Sequence, residues 1–155
     1  MIEFDKEQIS GMTILIVDDT LENLDILGHI LQQSGLKISI AQTGEKALDL
    51  VRRNKPDLIL MDIKMPGMDG FEVCGELKAD ANTKDIPIIF ITALASTEDM
   101  MRAYNEGGID YISKPFNEQE VVCRITNQLK LKKAQDEVIC QEKFYRAIVE
   151  RVPDL

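Results

Sequence analysis

The sequence predicts a doubly wound α/β domain, a five-stranded parallel sheet with helices on both faces, strand order 2-1-3-4-5 and an extended C-terminal helix. Five apolar runs rich in β-branched residues recur roughly every 20 to 30 residues. A helical pattern separates each run from the next. The connections are short, as right-handed strand-helix-strand crossovers require.

The first run, Met12 to Val17, is continuously apolar, as expected of a strand covered on both faces. Leu24, Leu27 and Leu31 then mark a helix face that Gly35 closes. The second run, Lys37 to Ala41, alternates and reads as a sheet edge. Ala47, Leu50 and Val51 mark the next helix, stopped by Asn54 and Pro56. The third and fourth runs, Asp57 to Met61 and Ile86 to Ile91, are continuously apolar after the opening Asp57; Phe71, Cys74 and Leu77 mark the helix between them. A fourth helix opens at Ser96, with Asp99 three residues on, turns Met100, Ala103 and Tyr104 inward, and ends at Gly107. The fifth run, Gly108 to Ser113, leads to a capping-box pattern from Asn117 to Glu120. Placing the most apolar runs centrally gives the order stated above.

After Asn117 nothing breaks a helix until Pro153, well past what a small sheet can cover. Beyond Lys130 the positions Leu131, Ala134, Val138, Gln141, Tyr145, Ile148 and Val152 keep a three-four spacing with charged residues between them. The expected use is a two-stranded coiled coil; a frayed linker is the alternative, because Gln141 occupies an inner position. Residues 1–11 then read as an N-terminal extension, 12–130 as one domain, and 131–155 as a helical linker to an output domain that lies beyond the chain.

Composition narrows the partners. The chain has 155 residues, 45% hydrophobic and 29% charged, with a formal net charge of -9. A nucleic-acid footprint needs clustered Lys and Arg, so none is expected. No run approaches the length of a membrane span, and the N-terminus lacks a secretory pattern, so a cytoplasmic protein is expected. Cys74, Cys123 and Cys140 fit neither a disulfide framework nor a zinc site. His29 is the only histidine and falls within the first helix, which disfavours a histidine-based metal site.

The chemistry lies where the runs stop. Asp18, Asp19 and Asp62 follow or end apolar runs, as do Thr92 and Lys114, so in a parallel sheet all five meet at one carboxyl edge. Clustered carboxylates at about 4 Å repel by about 1 to 4 kcal/mol per pair, a conflict that a hard divalent cation removes. Asp19 alone could instead cap the first helix. Asp62 begins Asp-Ile-Lys-Met-Pro-Gly-Met-Asp-Gly, where Pro66 and Gly67 forbid an immediate helix; Asp69 is the better cap, leaving Asp62 as a candidate nucleophile toward phosphorus. The Thr92 hydroxyl and Lys114 ammonium could hold two phosphoryl oxygens.

Residues from about 12 to 130 resemble the receiver domain of two-component response regulators, on the Asp-Asp pair, the Asp62 loop, the Thr followed by Ala, and the Lys-Pro-Phe ending. The resemblance implies a flavodoxin-like fold in which Asp62 accepts a phosphoryl group from a sensor histidine kinase or phosphotransfer protein. It implies Mg²⁺ or Mn²⁺ held by Asp18, Asp19, Asp62 and the backbone carbonyl of Lys64, with Lys114 and Thr92 on the phosphoryl oxygens. Tyr111 falls at the family's switch aromatic, and the Lys114–Pro115 bond is expected to be cis. Lys64 and Leu94 stand at the positions by which the family tunes acyl phosphate lifetime. The resemblance also implies a regulator rather than an enzyme, promoting only its own phosphotransfer and autodephosphorylation, and a homodimer through helix 4, strand 5, helix 5 and the C-terminal helix.

Two other readings compete. A metal-dependent aspartyl phosphatase would want an acid two residues after its nucleophile, where this chain has Lys64. A constitutive dimerisation module would leave the acidic cluster idle. The tail from Phe144 resembles the opening helix of a PAS sensor domain and suggests a larger signalling protein.

Overall fold

A computed structural model describes residues 9–93 and 97–150. The sheet consists of β1 (Thr13–Val17), β2 (Lys37–Ala41), β3 (Leu58–Asp62), β4 (Ile88–Thr92) and β5 (Asp110–Ser113), all parallel in the order β2-β1-β3-β4-β5. The helices are α1 (Leu21–Gln32), α2 (Gly44–Arg53), α3 (Gly70–Ala79), α4 (Thr97–Asn105) and α5 (Glu118–Glu150). The expected order and alternation are those observed. β3 and β4 are buried at every residue, while β2 shows the exposure of an edge.

The side chains of each strand alternate between two cores. Leu15, Val17, Ile59, Met61, Ile88 and Phe90 pack with α2, α3 and Ala103 of α4 on one face. Ile14, Ile16, Leu58, Leu60, Ile89, Ile91 and Ile112 pack with α1 and the first turns of α5 on the other. α1 buries Leu24, Leu27 and Leu31 as its periodicity predicts, and Gly35 follows at a φ of 82°, a left-handed conformation that glycine adopts without Cβ strain.

Three local expectations are corrected. α2 buries Ala47, Leu48 and Val51, with Leu50 only half-buried, because consecutive apolar residues straddle the helix face and the sheet selects Leu48. Tyr104 is 49% exposed; α4 buries Ala103 and turns its aromatic toward solvent. Thr20, not Asp19, is the N-cap residue of α1, and its side chain makes no capping bond. The Ser96 opening, Leu94, Val152 and the end of the PAS-like tail lie outside the described residues.

α5 runs 33 residues. Val121, Ile125 and Leu129 are fully buried against the sheet, whereas Leu131, Val138, Tyr145 and Ile148 of the same helix are exposed. No described helix is long and apolar enough to cross a membrane.

Candidate functional site

At the carboxyl edge of the sheet the strands deliver their last residues to one place. Asp18 follows β1, and its N–H donates to the Ala41 carbonyl at 3.1 Å, so the ladder carries it one step past the strand. It is 0% exposed. Its Oδ1 accepts the Thr20 N–H at 2.9 Å and its Oδ2 the Asn23 Nδ2 at 3.2 Å, which orients the carboxylate while leaving lone pairs free. Asp62 ends β3 and is 4% exposed. Asp19, relieved of capping, is exposed beside them, and one carboxylate oxygen of each Asp lies within 4.8 Å of the others.

Lys114 answers this charge. Its Nζ stands 3.6 Å from Asp18 Oδ2 and 3.6 Å from Asp62 Oδ1, bridging the two buried acids. Its backbone N–H donates to the Thr92 carbonyl at 2.8 Å, which ties it to the end of β4, and the Lys114–Pro115 bond is cis as expected. Thr92 is buried at the same edge. The register pairs Thr92 with Ser113 and Phe90 with Tyr111, so Thr92, Phe90 and Tyr111 share one sheet face. Tyr111 is half-buried against that core, and the Arg124 guanidinium lies 5.7 Å from its ring centroid.

The loop after Asp62 is held as closely. Ile63 donates to the Ile91 carbonyl at 3.2 Å and accepts from Gly70 N–H at 2.9 Å, folding the loop back onto the strand end. Gly67 turns it at a φ of 72°. Asp69 caps α3 by accepting the Glu72 N–H at 2.9 Å, as the sequence suggests. Gly70 has no room for a side chain, since a Cβ there would collide with the Asp62 carbonyl oxygen and stand 3.0 Å from Ile63 Cα. Lys64, two residues past Asp62, points its side chain into solvent.

Burial, then the negative Asp18 and Asp19, push the Asp62 carboxyl up to about 7; Lys114 and the Lys64 N–H pull it down and fail to offset them. Carboxylate oxygens within 4.8 Å of one another repel by about 3 kcal/mol or more in a surface-like dielectric. The donor set is all carboxylate oxygen, with one member exposed to keep water, the chemistry a hard divalent cation prefers. Sequence reasoning missed Asn23 and Gly70. A side-chain amide five residues after an acid carries no recognisable signal, and the Gly70 approach arises only when loop and helix are packed together.

Such a sheet, with this edge, defines a flavodoxin-like α/β domain of the CheY type. The chain belongs to the response regulator receiver domain family, whose family model matches residues 14–126. Response regulator PleD of Caulobacter vibrioides is 38% identical over 125 residues, covering 81% of this chain and 28% of PleD. A probable cyclic di-GMP phosphodiesterase of Vibrio cholerae is 33% identical over 151 residues, covering 97% of this chain and 34% of that protein. Among solved structures, a putative response regulator from Chloroflexus aurantiacus superposes with a TM-score of 0.75 at 34% identity, covering 77% of this chain and 98% of that one. The chain thus spans about a third of the length of these two curated relatives.

Proposed function

We propose that this receiver is a phosphorylation-controlled switch in which Asp62 accepts a phosphoryl group from a sensor histidine kinase or phosphotransfer protein. The observation that carries the reading is the Lys114 ammonium seated 3.6 Å from both Asp18 and Asp62 beside an exposed third acid. A carboxylate oxygen of Asp62 attacks phosphorus, the bond from phosphorus to the donor nitrogen breaks, and an acyl phosphate remains on Asp62. Lys114 turns from the Asp18 and Asp62 carboxylates to a phosphoryl oxygen, and the Thr92 hydroxyl donates to another. Asp18, Asp19, Asp62 and the Lys64 carbonyl would hold Mg²⁺ or Mn²⁺, which supplies neutralisation of the charge that develops on the transferring phosphoryl.

The acyl phosphate carries roughly -1.5 to -2 of charge where the ionised carboxylate carried a single negative charge. Drawing Thr92 toward it opens space on the sheet face that Thr92 shares with Tyr111, and Tyr111 moves inward there. The face of α4, β5 and α5 changes shape, and the change passes along α5 to its C-terminal half. That face and helix form a homodimer that governs an output domain, in a cytoplasmic protein that turns over no substrate of its own. The phosphatase reading is weaker because Lys64 offers no acid two residues after Asp62. Incubation with a cognate phosphohistidine donor or a small acyl phosphate and Mg²⁺ should label the wild type once per chain and leave Asp62→Asn unlabelled. Equal labelling of the Asn variant would refute the assignment.

A further inference from the structure

Asp18 is the member of the acidic cluster that is 0% exposed, so protein groups alone set how its carboxylate points. Its Oδ1 is committed to the start of α1 through the Thr20 N–H at 2.9 Å. Its Oδ2 faces the cluster, because the Lys114 Nζ that stands 3.6 Å from it also stands 3.6 Å from Asp62 Oδ1. The hydrogen bond to that same oxygen comes from Asn23, whose Nδ2 lies 3.2 Å away. A carboxylate only accepts, so the nitrogen end of the amide is the end turned toward it. Asn23 is the third residue of α1, half-buried, and a side chain there leans back toward the helix start where Asp18 stands. Leu24 and Leu27 next to it are buried, so the amide is delivered from a helix anchored in the core.

The two partners of Oδ2 differ in what they leave behind. When Lys114 turns to the phosphoryl oxygen in the proposed reaction, its charge goes with it. Asn23 stays, and because it is neutral it orients the oxygen without competing with a cation for it. Lys or Arg at this position would compete, Asp would repel Asp18, and Leu would leave Oδ2 unheld. With Thr20 on one oxygen and Asn23 on the other, the plane of the carboxylate is clamped from both sides. Bringing both oxygens onto one ion requires breaking one of these bonds.

Resting on the proposed metal set, we propose that Asn23 is a positioning residue that confines Asp18 to single-oxygen ligation through Oδ2 and thereby selects Mg²⁺ or Mn²⁺ over Ca²⁺. Mg²⁺ suits such a ligand, since it demands an octahedron of about six oxygens at ~2.1 Å and keeps several waters. Ca²⁺ takes about six to eight oxygens at ~2.3 to ~2.6 Å and accepts carboxylates that chelate with both oxygens. Releasing the clamp therefore costs Mg²⁺ more than Ca²⁺.

The test measures ion affinity by calorimetry in the full chain, with Mg²⁺ and Ca²⁺ as the probes, for wild type, Asn23→Ala and Asn23→Gln. Asn23→Ala should weaken Mg²⁺ binding about tenfold, as loss of a group behind a ligand does, and change Ca²⁺ binding by less than about threefold. Asn23→Gln keeps an amide donor on a longer stem and should recover most of the Mg²⁺ preference. With no metal present, the Thr20 amide proton should exchange with solvent several-fold faster in Asn23→Ala, because the carboxylate that holds it is free to swivel. The Leu24 N–H, bonded to the Thr20 carbonyl at 3.2 Å, should keep its wild-type rate. Equal weakening of both ions, unchanged Mg²⁺ affinity, a Gln variant that behaves as Ala, or faster exchange at both amides overturns the role of Asn23. Each of these leaves Mg²⁺ binding by wild type and labelling of Asp62 standing. A wild type that binds neither ion overturns the metal set itself, and the role of Asn23 with it.

Discussion

Replacing Asp62 by Asn should stabilise the metal-free protein, and by an amount that depends on pH. The Asp62 carboxyl titrates at about 7 in the fold against an ordinary 3.8, so between those values the folded chain retains a proton that the unfolded chain releases. Folding stability therefore falls as pH rises from about 4 to about 7 and levels off above, where the buried carboxylate is ionised beside Asp18 and Asp19. Taken whole, the displacement is worth about 4 kcal/mol; reorientation of Lys114 and water at the exposed Asp19 side reduce it, giving about 2 to 4 kcal/mol. Asn keeps the shape and discards the charge. In urea titrations at pH 8 with chelator, the Asn variant should unfold about 1 M or more later than wild type. At pH 4 the two midpoints should converge, and at pH 8 saturating Mg²⁺ should narrow the gap by stabilising wild type more. An Asn variant no more stable than wild type at pH 8, or a gap unchanged between pH 4 and pH 8, would show that the acids are not in electrostatic conflict.

Other substitutions probe the supports of the site. Lys114→Met removes the cation that bridges Asp18 and Asp62, so Mg²⁺ affinity measured by calorimetry should rise several-fold while Tyr111 loses its response to phosphorylation. Gly70→Ala forces a methyl group onto the Asp62 carbonyl and should cost about 2 kcal/mol or more in urea unfolding, and weaken Mg²⁺ binding by shifting the loop. Lys78→Met strips the Nζ that donates at 2.9 Å to both the Lys84 and Ile86 carbonyls and should cost about 1 to 3 kcal/mol, with Mg²⁺ binding unchanged because the clamp lies at the opposite edge of the sheet.

The parts of the fold that were readable are those where one physical signal dominates. Apolar runs with abrupt polar ends gave strand order and the meeting of Asp18, Asp62, Thr92 and Lys114, because a parallel sheet converts runs into a common edge. Asp69 was readable because Pro66 and Gly67 leave one cap available. Tyr104 was not: the helical period allows it inward, and the small Ala103 already fills the approach to the sheet. The choice of Leu48 over Leu50 depends on the angle at which α2 meets its neighbours, which a linear pattern does not carry. Lys78 was invisible for another reason. Its role comes from the reach of a flexible stem to carbonyls six and eight residues away.

The ladder pairings of Val17 with Met61, Asp62 with Ile91, and Thr92 with Ser113 make the sheet a ruler for the chemistry. One residue inserted into β1, β3 or β4 would displace a functional end by about 3.3 Å and turn it to the opposite face. Although Asp57 accepts the Thr13 N–H of β1 at 2.8 Å, the exposed Asn54 and Lys55 of the far-edge turn before β3 carry no such measurement. Sequence can be added or exchanged there, and a foreign module spliced in, while every reacting group keeps its place.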